Sequence, residues 1–377
     1  MLKYLNLIGI LTVRRDEFLF KIHMLDDKQK ITQLDSKNML GSLQLLEKQA
    51  EQVWQEVAGL ELPKSYKKAS NIVVLGMGGS ALGSELIKSL YKEELTVPLE
   101  IVNHYHVPNT VTEDTLVLAS SYSGTTEEVI SAAQEARERK AKVMVISSGG
   151  ALASWAKTNN YPVLVFSTNN NPCGSPRMGL GYSIFGQLAL FVKLGFLTIS
   201  ADDLDDALQT IIICERQFGA DNPEKNNLAK QMAVDLLNKS VWYFGAEHLS
   251  GNAHIAANQM NENAKRFAGY FIVPELNHHL MEGMLFPESN KNNIKFVLME
   301  SDLYDERVQK RFAITAQVLV KNAIEFASYK FQAGKKLGQC CEALVLSSYV
   351  SFYSAILQGI DPTAIPFVDF FKAQLKK

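Results

Sequence analysis

Short apolar runs alternate with helical patterns along most of the chain. In the first half the runs are NIVVL, LEIVNHY, TLVLASSYSG, KVMVISSGG and YPVLVFST, and helical segments lie between most of them. Strands that are apolar on both faces, alternating with helices, are typical of a parallel sheet covered on each side. The pattern therefore predicts an α/β fold. Before the first run, apolar residues recur at three- and four-residue steps from Met24 to about Ser70, which predicts a pair of lead-in helices that pack on this sheet.

The alternation resumes after a charged helical stretch that begins with ADDLDDAL at residue 201. Two further apolar runs, VWYFGAEHL and IKFVLMES, read as strands, with a helix-like run GNAHIAANQMNENAKRFAGY after the first. A long helix is predicted from Arg307 to Ala327, then an apolar helix from Cys340 and a last helix FVDFFKAQLKK. We therefore expect two α/β units, at residues 24–200 with the lead-in helices and at residues 201–377.

Residues 1–23 differ from the rest of the chain. LNLIGILTV is apolar but too short to span a bilayer, and two arginines follow it. Three interpretations remain open for this extension. It forms a membrane anchor, it packs on the surface as a strand or helix, or translation starts at Met24.

Composition narrows the class of protein. The 377 residues are enough for two or three domains, and 47% apolar with 21% charged residues is the balance of a globular protein. The net charge of −2 favours neither nucleic acid nor a membrane surface as a partner. The four cysteines have no metal-ligand spacing, so we expect no zinc site, no disulfide framework and a cytoplasmic location; they are Cys173, Cys214, Cys340 and Cys341.

The stretch SSYSGTT at 120–126, called here the hydroxyl turn, carries the first candidate chemistry. It follows an apolar strand and leads into the helical run EEVISAAQEA. The first turn of a helix has free N–H groups and attracts anions, while hydroxyl side chains add neutral donors. This arrangement suits a phosphate monoester, although an ordinary capped strand–helix turn has the same residues. No Lys follows the glycine, so a nucleoside triphosphate loop is excluded.

Two neighbouring turns have similar residues. GGS at 78–80, called the glycine turn, and SSGG at 147–150 also follow predicted strands. Ligands of parallel sheets bind at the carboxyl ends of the strands, so one crevice would collect all three turns. The glycine turn is not a dinucleotide fingerprint, because the next strand ends in Asn103, His104 and Tyr105 where an acidic residue is needed. Arg177, held between Pro176 and Gly179, is either an anion ligand at this crevice or an exposed loop residue.

Seven motifs occur in an order that resembles the sugar isomerase (SIS) superfamily, and within it the bifunctional phosphoglucose/phosphomannose isomerase family. They are GMGGSALG, SSYSGTTEEV, SSGGALA, PCGSPRMGLGY, NENAKRFAG, PELNHHLMEG and GIDPTAIPFVDFFK. The resemblance covers residues 30–377. It implies two SIS subdomains, each a five-stranded parallel sheet flanked by helices in a doubly wound, flavodoxin-like arrangement. It also implies reversible isomerisation of hexose 6-phosphates without metal or cofactor, in a cytoplasmic homodimer that serves glycolysis and gluconeogenesis.

The resemblance also assigns roles to particular residues. It makes Glu262 the base that moves a proton between C1 and C2, and Arg177 the group that stabilises the enediolate. A buried carboxylate at Glu262 would have a raised pKa, which suits a proton shuttle near neutral pH. His278 and Lys372 match the ring-opening histidine and the C-terminal helix lysine. The matched substrate and phosphate ligands are Gly79, Ser80, Ser121, Ser123 and Thr126.

Alternatives remain for the ring-opening histidine and for the class of protein. His279 adjoins His278, and His278 is preferred because it follows Asn277 as the family pattern requires. The chain could also be another SIS isomerase, or a non-catalytic regulator that binds a sugar phosphate. The combination of Glu262, His278, Arg177 and Lys372 favours an enzyme, because binding alone needs no base.

Overall fold

The computed structural model describes residues 24–375 and residue 377, so the interpretations of residues 1–23 lie outside the described part. Three helices begin the described chain, where a pair was expected. They are α1 (Lys28–Leu34), α2 (Met39–Gln44) and α3 (Leu46–Ala58). Their apolar faces, including Met39, Val53 and Val57, are buried in the core that also covers one face of the first sheet.

The first sheet has five parallel strands in the order β2-β1-β3-β4-β5. Its strands are β1 (Asn71–Leu75), β2 (Leu99–Val102), β3 (Thr115–Ser121), β4 (Lys142–Ser147) and β5 (Val163–Val165), and its helices are α4 (Gly79–Leu90), α5 (Glu127–Glu138), α6 (Gly150–Thr158) and α7 (Leu180–Leu194). All seven residues of β3 are buried, which explains its uniformly apolar start. The strand order reverses between β1 and β3, and the crevice at such a reversal is where ligands of open α/β sheets bind.

The second sheet has four parallel strands in the order β7-β6-β8-β9. The elements after α7 are α8 (Ala201–Phe218), α9 (Leu228–Asp235), β6 (Ser240–Ala246), α10 (Ser250–Ala264), β7 (Ala268–Val273), α11 (Asn290–Asn293), β8 (Ile294–Glu300), α12 (Glu306–Lys321), β9 (Glu325–Lys330), α13 (Lys336–Leu357) and α14 (Pro366–Leu375). This confirms the α/β class with two parallel sheets flanked by helices.

Three details of the second unit differ from the sequence-based expectation. The second sheet has four strands in the described residues, where five were expected, because the chain continues from β9 into α13 and α14. The predicted helix at 307–327 ends at Lys321, and β9 begins at Glu325. The helix-like run after β6 likewise ends at Ala264, and its last residues start β7.

Helix α13 forms the centre of the second unit. Every residue from Leu337 to Leu357 is buried, and the helix packs against α8, α9 and α10. Within the described residues it is the one helix long and apolar enough to cross a bilayer, yet its whole apolar stretch lies inside the protein. Helix α10 also packs against α4 of the first unit, so one continuous core joins the two sheets. The domain boundary at residue 200 stays a prediction.

Candidate active site

The hydroxyl turn is closed by its own side chains. Ser121 ends β3, and its Oγ accepts a hydrogen bond from the Gly124 amide at 3.1 Å and lies 2.9 Å from Thr126 Oγ1. Ser123 Oγ is exposed and lies 3.0 Å from Thr125 Oγ1. Thr126 occupies the N-cap position of α5 without a side-chain capping bond. The turn therefore places hydroxyls beside the free amides of a helix start, which are the groups that an anion site uses.

The glycine turn is bonded directly to the hydroxyl turn. Ser80 Oγ accepts the Tyr122 amide at 2.9 Å, and the Ser80 carbonyl accepts the Ser120 hydroxyl at 3.1 Å. Beneath both turns, the buried amide of Gln187 on α7 donates to the Ser80 carbonyl at 3.1 Å and to Ser120 Oγ at 3.3 Å. These bonds fix the spacing between the two turns.

The third turn packs on the other side of the hydroxyl turn. The Ser148 amide donates to the Tyr122 carbonyl at 3.0 Å, and the Leu152 amide donates to the Gly124 carbonyl at 2.9 Å. The three predicted turns thus meet at one edge, where β1, β3 and β4 end side by side. The structure places Ser80, Ser121, Ser123 and Thr126 together at this edge.

Arg177 adjoins the glycine turn through its backbone. It lies in the 3-10 turn Pro176–Met178, and a Cβ at Gly79 would lie 3.0 Å from the Pro176 carbonyl oxygen and 3.2 Å from the Arg177 nitrogen. Such contacts leave room for little more than a hydrogen, so Gly79 allows the Arg177 turn to approach the glycine turn closely. Arg177 is therefore a buried part of the site, and the interpretation as an exposed loop arginine is wrong.

The Arg177 guanidinium is almost fully bonded. Its side chain is 4% exposed; Nε donates to Asn263 Oδ1 at 2.6 Å, and Nη2 donates to the carbonyls of Pro362 and Thr363 at 3.0 and 2.9 Å. Nη1 lies 3.4 Å from Glu262 Oε2. Burial lowers the pKa of Arg177, and the Glu262 carboxylate opposes this, so the guanidinium keeps its charge.

Glu262 lies near the end of α10 and faces Arg177. Its side chain is 36% exposed, so the expected buried carboxylate is not found. The neighbouring Asn263 is fully buried, with its amide nitrogen 3.0 Å from Ser351 Oγ on α13. The buried asparagine holds the end of α10 against the core, and the partly exposed carboxylate beside it lies next to Arg177.

Lys265 was not singled out from the sequence, although it belongs to the same NENAK motif. It caps α10 in the left-handed region at φ +50°, and its Nζ donates to the carbonyls of Asn263, Asp361 and Pro362 at 3.0, 2.7 and 3.1 Å. Lys265 is exposed overall, but partial desolvation of its ammonium at the helix end, together with the nearby Arg177 charge, lowers the pKa of Lys265 to about 8. Its position three residues after the candidate base Glu262 was the feature of the sequence that could have identified it.

His278 and Lys372 lie apart from this cluster. His278 ends the 3-10 turn Glu275–His278 after β7 and is exposed, and within residues 24–375 it makes no hydrogen bond to Glu262 or Arg177. His279 Nε2 is instead paired with Glu275 at 2.8 Å. Lys372 lies on α14, whose residues are all unburied. One chain therefore brings together seven of the nine predicted site residues.

The part of the chain at 24–375 contains no group of three or more His, Cys, Asp or Glu side chains arranged to hold a metal ion.

Comparison with known proteins identifies the domains of this chain. Residues 65–169 match the SIS domain, and residues 225–375 match the bacterial phospho-glucose isomerase C-terminal SIS domain. A hypothetical protein from Thermus thermophilus shares the fold, with a TM-score of 0.72, 17% identity and 96% of each chain covered. The fold and the crevice thus define an SIS-domain protein.

Curated relatives narrow the assignment. A bifunctional phosphoglucose/phosphomannose isomerase of Caldicellulosiruptor bescii is 30% identical over 346 residues, which are 89% of this chain and 98% of that protein. A D-glucosamine-6-phosphate 4-epimerase of Sulfolobus acidocaldarius is 29% identical over 242 residues, covering 64% of this chain and 72% of that protein. The chain belongs to the bifunctional phosphoglucose/phosphomannose isomerase family.

Proposed function

We propose that this protein interconverts hexose 6-phosphates by reversible aldose–ketose isomerisation, with glucose 6-phosphate, mannose 6-phosphate and fructose 6-phosphate as its substrates. Membership of the isomerase family supports this activity. The observation that carries the proposal is the pairing of Glu262 with the buried Arg177, 3.4 Å apart, next to the two bonded turns. A carboxylate and a fixed cation at one crevice supply both the proton shuttle and the charge stabilisation that the reaction needs.

The hydroxyl turn and the start of α5 would hold the phosphate. Ser121, Ser123 and Thr126 supply hydroxyl donors, and the free amides of the first helical turn add the positive end of the helix dipole. Ser80 already accepts the Tyr122 amide, so its hydroxyl hydrogen remains to be donated to the ligand. Phosphate bound here would anchor the sugar with C1 and C2 extended towards Arg177.

Glu262 and Arg177 would then carry the chemistry. The Glu262 carboxylate takes the proton from C2 of the open-chain aldose, and the C–H electron pair forms the C1–C2 double bond. The carbonyl π electrons pass to the C1 oxygen, and Arg177 stabilises the resulting enediolate charge. Return of the proton to C1, with the C2 hydroxyl proton passing to the C1 oxygen as the second carbonyl forms at C2, gives the ketose. The carboxylate is regenerated, so no redox partner is consumed.

Ring opening needs an acid or base, and within the described residues the two groups that the resemblance assigns to it, His278 and Lys372, lie outside the cluster of Glu262 and Arg177. His278 and Lys372 are both exposed, and α14 also exposes Phe367 and Phe371 to 86% and 61%. A large apolar face on a surface helix is typical of a protein–protein interface. We therefore extend the proposal to a homodimer in which assembly brings His278 and Lys372 to the cluster of Glu262 and Arg177.

The same proposal covers location and metabolic role. All four cysteines are buried free thiols, which supports a reducing compartment such as the cytoplasm. Interconversion of glucose 6-phosphate and fructose 6-phosphate would place the protein in glycolysis and gluconeogenesis.

An assay in deuterium oxide tests the reaction and its route. Purified protein is given fructose 6-phosphate, and NMR follows glucose and mannose 6-phosphate. We expect both products with solvent deuterium at C2, because the enediolate exchanges its shuttled proton with water. Glucosamine 6-phosphate is the comparison substrate and should remain unchanged. Binding of fructose 6-phosphate without turnover would instead establish a regulator, and conversion of the amino sugar alone would establish a different SIS enzyme.

A hybrid dimer tests whether His278 acts across the subunit boundary. Glu262→Gln and His278→Gln chains, each inactive alone, are co-expressed with two different tags and the doubly tagged dimer is purified. If the site uses His278 of the partner subunit, one of the two sites is intact, and we expect about half of the wild-type turnover per dimer. If His278 acts within its own subunit, the hybrid has no intact site. Activity no higher than that of the parents would therefore reject the shared site.

A further inference from the structure

Lys265 holds the chain segment 361–363, which leads towards α14, against the end of α10. Its ammonium donates to the backbone carbonyls of Asp361 and Pro362, on one side, and of Asn263, on the other. Three carbonyl acceptors satisfy the three donors of a lysine ammonium, so the group is tied to backbone rather than to a carboxylate. Its left-handed φ of +50° turns the chain sharply after Ala264 and aims the side chain back across the helix end.

The 361–363 segment is also held by Arg177. The Pro362 carbonyl accepts both Lys265 Nζ at 3.1 Å and Arg177 Nη2 at 3.0 Å, and Arg177 Nη2 also donates to the Thr363 carbonyl. Each cation therefore limits the movement of an acceptor that the other uses. Without the ammonium, the segment would keep its bonds from Arg177 and the bond from Ser36 Oγ to the Asp361 carboxylate, and the direction of Nη1 towards Glu262 would be less restricted.

We propose that Lys265 is a positioning residue of this site, which fixes the 361–363 carbonyls and so orients Arg177 towards the developing enediolate. It acts through Arg177 and the backbone and touches no reacting atom. The inference rests on the proposed isomerase function and adds a residue to it. It predicts that loss of the ammonium weakens stabilisation of the transition state more than binding of the phosphate, because Lys265 bonds neither the hydroxyl turn nor the glycine turn.

The charged groups around Lys265 give the inference a pH signature. Arg177 faces it from the first unit, Glu262 from its own helix and Asp361 from the segment that it holds, with Asp35 behind Asp361. Partial desolvation and the charge of Arg177 lower the pKa of Lys265. The carboxylates of Asp361 and Glu262 raise it, and the resulting pKa is about 8. The ammonium is present below this pH and is lost as the pH rises through it. We therefore expect kcat to fall on the alkaline side near pH 8 in the wild-type protein.

The test compares wild-type protein with Lys265→Met and Lys265→Arg. Steady-state kinetics with fructose 6-phosphate is measured from about pH 6 to about pH 10, a range that brackets the pKa of Lys265. Calorimetry measures binding of inorganic phosphate and of a pentonate 5-phosphate, whose carboxylate takes the place of the enediolate oxygens. For Lys265→Met we expect kcat and the pentonate affinity to fall together by about 30-fold, since both report interactions made with the transition state. KM and the phosphate affinity should change by less than about twofold, as the turns are untouched.

Two comparisons complete the experiment. Lys265→Arg restores a cation and should recover kcat to within about threefold of the wild-type value. Lys193→Met is the matched control, because Lys193 Nζ also donates to backbone carbonyls, those of Val57 and Ala58 at 3.0 and 2.6 Å, and these lie away from the site. It should leave kcat and its pH profile unchanged.

Each result decides the inference. Wild-type kcat in Lys265→Met, or the same kcat loss in Lys193→Met, would overturn the positioning role. A rise in KM with unchanged kcat would show direct substrate binding instead. Persistence of the fall near pH 8 in the methionine variant would assign that titration to another group and remove the pH signature. If the wild-type protein binds both probes and turns nothing over, the isomerase proposal fails, and the inference that rests on it fails with it.

Discussion

Glu262→Gln is expected to lower kcat for fructose 6-phosphate by about 10³-fold, within the range that general acid–base catalysis contributes. Glutamine keeps the size of the side chain and an oxygen that can accept from Arg177 Nη1, but it cannot take a proton from carbon. Solvent deuterium should therefore no longer enter C2. The measurement is steady-state kinetics together with NMR of deuterium incorporation.

Substrate binding and folding should both survive this change. In the proposed function the hydroxyl turn would hold the phosphate, and Glu262 does not touch this turn, so the affinity for inorganic phosphate should stay within about twofold. Arg177 keeps its bonds to Asn263, Pro362 and Thr363, so the guanidinium remains satisfied. Unaltered turnover in this variant would show that another group is the base.

Glu325→Gln is the matched control for the loss of a carboxylate. Glu325 on β9 also pairs with cations, at 3.1 Å from Lys239 and 3.3 Å from Lys295, and it lies outside the site. We expect wild-type kcat from this variant. A parallel loss in both glutamine variants would indicate a general electrostatic effect and would contradict a specific role for Glu262.

The contrast between the two sheets shows what the hydrophobic pattern can predict. Central parallel strands are buried on both faces, so β1, β3, β4, β6 and β8 appear as apolar runs and were identified as strands. The two strands that the pattern missed, β7 and β9, are the edges of the second sheet. β9 has no buried residue and β7 has two, so neither differs in pattern from the helices around it.

Some features of the site could also be predicted from local sequence pattern, and others could not. The meeting of three turns at one edge followed from strand order and local composition, because parallel strands end on the same side. The contact of Arg177 with Glu262 could not follow from local pattern, since 85 residues separate them and the two units must first pack together. Sequence resemblance supplied this pair. Lys265 and Gln187 were missed because their roles depend on hydrogen bonds between segments that are distant in sequence and meet only in the folded chain.

These contacts divide the work of the site between the two units. The first unit supplies the turns that would bind the phosphate and also Arg177, whereas the second supplies Glu262 and the carbonyls that hold Arg177. Changes to the turns should therefore affect binding, while changes around Arg177 should affect turnover. A substitution that deforms the hydroxyl turn without altering any side chain near Glu262 tests this division directly.

Gly124→Ala is that substitution, and it should cause the largest loss of substrate binding. Gly124 has a φ of +66°, and a Cβ there would lie 1.9 Å from the Gly149 carbonyl oxygen. No atom can occupy that position, so the hydroxyl turn must move away from the third turn and carry Ser121 and Ser123 with it. We expect the affinity for inorganic phosphate and fructose 6-phosphate to fall at least about tenfold, equivalent to about 1.4 kcal/mol or more.

Stability should fall as well, by about 3 kcal/mol, from the cost of a left-handed alanine together with overpacking. Gly195→Ala separates the two contributions. Gly195 has a comparable φ of +82° but nothing within 4 Å of its Cβ position, so it should lose about 1 kcal/mol and no phosphate affinity. Denaturant unfolding and calorimetry measure both quantities. Equal losses of stability in the two variants would show that backbone conformation alone is responsible. Unchanged phosphate binding in Gly124→Ala would show that the phosphate binds away from the hydroxyl turn.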